Sequence, residues 1–159
     1  MFNIVLYQPQ IPQNTGNIVR TAAVSGAKLH LIKPLGFFID DRSLKRAGLD
    51  YWEEADISVY EDIYDFMEKN NITENDERVF LITTKSSKHY ADFRFNKGDF
   101  FIFGSEDKGL DENVHRMFPN NRLRIPMRNT EHARCLNLAN SVAIITYEAL
   151  RQANFEDLI

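Results

Sequence analysis

Three stretches of the 159-residue chain place polar groups beside glycine, or on a helix without charge, in ways that suit ligand chemistry. The first is QPQIPQNTGNIVRTAA, residues 8 to 23. Pro9 and Pro12 stiffen an extended exit from the preceding segment, after which Asn14 or Thr15 is placed to cap a helix and Gly16 allows close backbone approach. The amides of such a helix start can receive an anion. Arg20 lies one turn into this helix, among otherwise small and apolar residues, near an end whose dipole does not favour a cation. Its charge must reach a cleft, a partner or solvent. The second stretch, FIFGSEDKGL, offers Gly104, Glu106, Lys108 and Gly109. Its spacing fits neither GxxxxGK[ST] nor GxGxxG, which disfavours an ATPase and a Rossmann dehydrogenase. Glu106 is then either a site acid or a solvated loop acid. The third stretch, CLNLANSVAIITYEAL, carries no charge from Cys135 to Tyr147. On a helix Asn137, Asn140, Ser141 and Ile144 share one side, and Leu138, Val142, Ile145 and Ala149 another. Either this is a core helix whose Asn137 caps its own start, or one side is covered by the protein and the other by something else.

The elements that must carry these residues alternate. Short apolar runs at 3 to 7, 28 to 32, 56 to 60, 78 to 84, 99 to 104 and 122 to 126 predict buried strands. Helical patterns start near Thr15, Asp41, Glu61, Gly109 and Leu136, with Gly26 and Gly48 as stops. The expected class is α/β, a mostly parallel sheet flanked by helices on both faces. In such folds ligands bind beyond the carboxyl ends of strands, where all three stretches lie.

Composition narrows the function. With 43% apolar residues the chain can close one core, so a single domain over 1 to 159 is expected. No run approaches the roughly 18 to 20 apolar residues of a membrane span, and MFNIVLYQPQ lacks a signal peptide's basic start, so a cytoplasmic protein is expected. Cys135 is the lone cysteine and His30, His89, His115 and His132 are scattered, so no metal site is expected. A net charge of -4 argues mildly against broad nonspecific binding to nucleic acid.

Taken together, NTGNIVR (14 to 20), FGSEDKGL (103 to 110), and IPM (125 to 127) followed by LNLANSVAI (136 to 144) resemble the three ordered motifs of the SPOUT superfamily of RNA methyltransferases. The chain most resembles the small tRNA 2′-O-methyltransferases that act on cytidine or uridine at the wobble position. The likeness runs from Met1 to about Gln152 and takes in LYQPQIPQNTGN, RAGLDYW and LITTK.

The resemblance implies a C-terminal trefoil knot, an exception to the rule against threaded chains. It also implies S-adenosylmethionine as cofactor, the anticodon stem-loop of tRNA, with leucine tRNAs foremost, as substrate, and a homodimer through the first and last helices. Val142, Ile145 or Tyr147 would lie near that interface, and the uncharged helix would be covered twice. Carried over by position, the cofactor pocket comprises Ile82, Thr83, Gly104, Glu106, Ile125, Met127, Cys135, Leu136 and Leu138. Arg20 is implied at the reacting centre, with Asn137 and Glu106 as polar organisers. A guanidinium stays protonated, so Arg20 suits stabilising developing negative charge better than acting as a base. Three departures from the family stand out: Cys135 where many relatives carry serine, a longer RNTEHAR loop, and Gln10 where relatives often carry an acid. Arg42, Lys45, Arg46, Lys85, Lys88, Arg128 and Arg134 are candidates for phosphate contacts. A catalytically silent knotted dimer that binds the cofactor or RNA is the alternative.

Overall fold

The computed structural model describes residues 1–39, 51–128, 135–156 and 158–159. The chain order is β1 (Asn3–Tyr7), α1 (Pro12–Ser25), β2 (Lys28–Ile32), β3 (Ile57–Tyr60), α2 (Ile63–Lys69), β4 (Val79–Ile82), β5 (Phe100–Phe103), α3 (Glu112–Met117), β6 (Arg122–Leu123) and α4 (Leu138–Gln152). The six strands form one sheet in the order β3-β2-β1-β5-β4-β6, parallel at every pairing. From β1 the chain builds outward through β2 and β3, then crosses to β4 and returns through β5 to the other side of β1. The reversal falls between β1 and β5, and a crevice opens at such a switch point.

Strand residues alternate between two cores, as the pleat requires. Ile4, Leu6, Leu29, Leu31, Phe101 and Phe103 face α1 and α4, which contribute Ile18, Val19, Ala22, Val142, Ile145 and Ala149. Val5, Tyr7, Val79, Leu81, Phe100 and Ile102 face α2 and α3, which contribute Ile63, Phe66, Met67, Val114 and Met117. The expected two-faced parallel sheet is what the chain forms. Among the described residues no helix is long and apolar enough to cross a membrane.

Boundaries depart from the sequence reading where hydrogen bonding overrides local pattern. The last sheet pairing involves only Arg122 and Leu123 of the run expected to 126. The helix expected at Gly109 begins at Glu112, because the Asp111 side chain accepts from the Val114 amide, and the one expected near Glu61 begins at Ile63 behind Asp62. Neither Asn14 nor Thr15 caps α1. The helix starts earlier, at Pro12, whose ring fixes φ and whose missing N–H would be unpaired there anyway. Gly26 stops α1 in a left-handed conformation at φ 67°, as expected, and its amide donates to Ala22 and Ala23. Asn137 does cap α4, accepting from the amides of Ala139 and Asn140. The helix expected near Asp41, its stop at Gly48, and Arg42, Lys45, Arg46 and Arg134 lie outside the described residues.

Candidate active site

At the carboxyl ends of β4 and β5 the chain leaves a cleft of about 510 Å³, with a floor of strand-end residues and walls supplied by the segments after β4, β5 and β6 and by the starts of α1 and α4. Its apolar lining includes Ile82, Phe103, Ile125, Leu136 and Leu138, and its polar lining includes Thr83, Ser105, Glu106, Asn14 and Asn137. This volume and mixed lining match small-molecule pockets. Every residue named from sequence for the cofactor pocket borders this one cleft: Ile82, Thr83, Gly104, Glu106, Ile125, Met127, Cys135, Leu136 and Leu138.

The loop after β5 turns back on itself. Ser105 and Gly109 exchange backbone hydrogen bonds, at 3.2 Å from the Ser105 amide and 2.9 Å from the Gly109 amide. A Cβ on Gly104 would sit 2.2 Å from the Gly109 carbonyl carbon, so only glycine allows this closure. The Ser105 hydroxyl donates to Asp107 at 3.0 Å and holds that carboxyl below its usual range. Glu106 is thereby turned toward the start of α1.

There its carboxylate accepts from the Gln10 amide at 2.7 Å, the Ile11 amide at 3.1 Å and the Asn14 side chain at 3.2 Å. The anion expected at this helix start is therefore one of the protein's own side chains, placed where the helix dipole favours it. It also explains why α1 has no side-chain cap of its own. Because a carboxylate only accepts, the Asn14 amide must turn its NH2 to Glu106, which leaves its oxygen for the Asn137 side chain at 2.8 Å. Glu106, Asn14 and Asn137 thus join all three sequence motifs in one relay. Asn14 is its hub and was read from sequence only as a cap; its partners lie 92 and 123 residues away, beyond any local signal.

Arg20 is not brought to this cleft. It is exposed on the outer side of α1, with its guanidinium over the Tyr51 ring at 5.0 Å. Beside it the outer surfaces of α1 and α4 expose Val24 (49%), Ile144 (36%) and Tyr147 (44%). Val142 and Ile145, expected near an interface, are instead fully buried in the chain's own core. The 3.6-residue period puts Ile144 and Tyr147 outward when Val142 and Ile145 face the sheet.

Of the basic residues proposed for phosphate contact, Lys85 borders the cleft and pairs with Glu112, Lys88 lies over the Phe93 ring at 5.8 Å, and Arg128 is exposed. One residue of the cleft wall was read from sequence only as one of four scattered histidines. His115, on α3, borders the cleft while only 4% exposed. No group of three or more potential metal ligands occurs among the described residues.

Comparison with known proteins sharpens this picture. Residues 1–147 match the model of the SpoU rRNA Methylase family. The tRNA (cytidine(34)-2'-O)-methyltransferase of Burkholderia ambifaria is 48% identical over 157 residues, covering 98% of each chain. That of Methylovorus glucosotrophus is 48% identical over 156 residues, covering 98% of this chain and 97% of its own. A solved structure described as giving insights into the 2-OH methylation of C/U34 on tRNA superposes with a TM-score of 0.88 at 43% identity, covering 98% of both chains. An AdoMet-bound rRNA methyltransferase from Sinorhizobium meliloti shares the fold at a TM-score of 0.81 and 24% identity, covering 94% of this chain and 56% of that one.

Proposed function

The chain belongs to the SpoU rRNA methylase family, and we propose that it transfers a methyl group from S-adenosylmethionine to the ribose 2′-hydroxyl of the wobble cytidine or uridine of tRNA, leucine tRNAs foremost. The observation that carries the reading is the cleft after β4, β5 and β6, whose residues are those the family resemblance assigns to the cofactor. The fit is chemical as well as positional: apolar walls suit a purine ring, strand-end backbone groups suit its polar edge, and a buried imidazole stands ready for a hydrogen bond. When bound, the cofactor supplies an electrophilic methyl on a sulfonium. The site's own residues must then hold the ribose hydroxyl in line with it.

Arg20 is the catalytic residue in this reading, donating hydrogen bonds to the ribose or its phosphate and stabilising the oxygen as negative charge develops. Its position outside the cleft of its own chain, on the face where α1 and α4 expose apolar side chains, supports delivery into the cleft of a second copy. A homodimer through the first and last helices would cover Val24, Ile144 and Tyr147 and complete both sites at once. Glu106 and Asn137 are positioning residues, since their hydrogen bonds go to Gln10, Ile11, Asn14 and the start of α4. The relay they form with Asn14 fixes α1, and with it Arg20, relative to the cleft. A C-terminal trefoil knot, one domain, and a cytoplasmic location belong to the same proposal.

Purified protein incubated with methyl-labelled cofactor and tRNA lacking modifications tests it. Label should appear at the ribose of nucleotide 34 in leucine tRNAs. Cofactor binding with no ribose methylation across a full tRNA pool would instead make the chain a silent knotted dimer.

A further inference from the structure

Among the described residues two histidines are buried, and they are treated differently. His30, on β2, is fully buried and both ring nitrogens have partners, the Tyr60 hydroxyl at 2.8 Å and the Asn3 side-chain oxygen at 3.1 Å. His115, on α3, is 4% exposed, and neither ring nitrogen has a partner among the described residues. Leaving a buried polar group unpaired is costly, so such groups in a native structure are nearly always satisfied. The difference between the two is location: His30 lies within the sheet core, while His115 borders the cleft.

We propose that His115 is a ligand contact, its ring hydrogen-bonding the nucleoside half of the molecule bound in the cleft. This rests on the reading of that cleft as the S-adenosylmethionine site. A neutral imidazole has one N–H to give and one lone pair to receive, which pairs well with ribose hydroxyls or a purine edge, groups that are themselves neutral and both give and accept. The charged amino-acid end of the cofactor is the poorer match. Burial, helped by the nearby Lys85 and Arg122 and opposed by Glu112 and Asp111, lowers the His115 pKa and disfavours an imidazolium that could pair with a carboxylate. The ligand's charged end then belongs toward the cleft's mouth, where water can solvate it.

Calorimetric titration of wild type and His115→Leu with S-adenosylhomocysteine and with methylthioadenosine, which lacks the amino-acid end, tests the assignment. Leucine keeps much of the volume and removes both polar atoms. The expected result is at least tenfold weaker binding of both ligands by His115→Leu, with a melting temperature of the free protein equal to or above that of wild type. Equal binding by the two proteins would overturn the proposal. Weaker binding of S-adenosylhomocysteine alone would move the contact to the amino-acid end and overturn it too. Should the variant fail to fold, the ring 15N resonances of wild-type His115 decide, because they shift on adding methylthioadenosine if the contact forms and stay put if it does not. A wild-type protein that binds neither ligand would remove the cofactor reading itself, an outcome distinct from either of these.

Discussion

The two helical layers on either side of the sheet are built from the same kinds of residue but finished differently. The layer of α2 and α3 begins each helix on its own side chains, with Tyr64 exposed on α2. Its helices carry their own caps, Asp62 and Asp111, and α2 bears an outward ion pair, Asp65 with Lys69, one turn apart. The layer of α1 and α4 buries its inner face against the sheet. Its first helix is held at its start by Glu106, from the other half of the sequence, and its outer surface shows Val24, Ile144, Tyr147 and the guanidinium of Arg20. Each helix of the first layer is thus capped by the residue just before it, although the Asp111 carboxylate also accepts from the Tyr7 hydroxyl across the fold. In the second layer the start of α1 is held from a distant segment, and aliphatic Val24 and Ile144 lie exposed beside Arg20.

Substitutions on α4 would break the comparison most sharply. Ile145→Glu puts a charge into a fully buried position and is expected to destabilise the fold by about 4 kcal/mol or more, enough to prevent folding of many domains of this size. Tyr147→Glu, two residues on, is expected to leave a folded monomer. Thermal melting by circular dichroism together with sedimentation would separate the two, and a Tyr147→Glu protein that stays dimeric removes this face from the interface.

The acid side of the stability curve tests the other layer. Burial lowers the His30 pKa from 6.5 to about 3, with Lys28 adding to the effect. The unfolded chain binds this proton at higher pH than the folded one, so its contribution is intact above pH 6.5 and is lost progressively as pH falls toward 3. Urea midpoints between pH 7 and pH 4 should therefore drop more steeply for wild type than for His30→Gln. Parallel curves would mean that His30 is protonated in the fold.

A smaller effect is expected at the relay. Asn14→Ala leaves Asn137 and Glu106 each short of one partner and should cost about 1 to 3 kcal/mol, while weakening methyl transfer through the altered placement of α1. A loss of transfer with unchanged melting would make Asn14 a contact of the reaction rather than a positioning residue. Smallest of all, Lys69→Ala removes a solvated ion pair on α2 and should change neither melting temperature nor transfer rate measurably.

The same contrast explains what could be read from sequence. Short continuous apolar runs and period-3.6 patterns gave the strands and helices because strands such as FFIF and helices such as α4 are dictated by local burial. Gly26 and Asn137 were legible as helix ends for the same reason, since each acts on its own backbone. The cleft residues were legible only through the ordered motifs, because Ile82, Gly104, Ile125 and Leu138 look like ordinary core and turn residues singly. The Glu106 carboxylate on α1 and the unpaired ring of His115 depend on contacts made after folding, and no spacing announced them. Arg20 was expected to act at a cleft, and a single sequence cannot say that its own chain's cleft is not where it lies.

The central claim is that the layer of α1 and α4 supplies Arg20 to a neighbour's cleft, and mixing two inactive variants tests it directly. Arg20→Ala should fold and bind cofactor yet lose transfer by about 3 to 4 kcal/mol of transition-state stabilisation. Leu136→Trp, whose ring would fill the cleft that Leu136 borders, should exclude the cofactor while leaving the Glu106–Asn14–Asn137 relay and Arg20 in place. In heterodimers formed by subunit exchange, one cleft is intact and receives an intact Arg20 from its partner. Single-turnover transfer should then recover to about half that of wild type per dimer, an order-of-magnitude expectation from one working site in two. Heterodimers that form but remain as inactive as their parents would contradict the account.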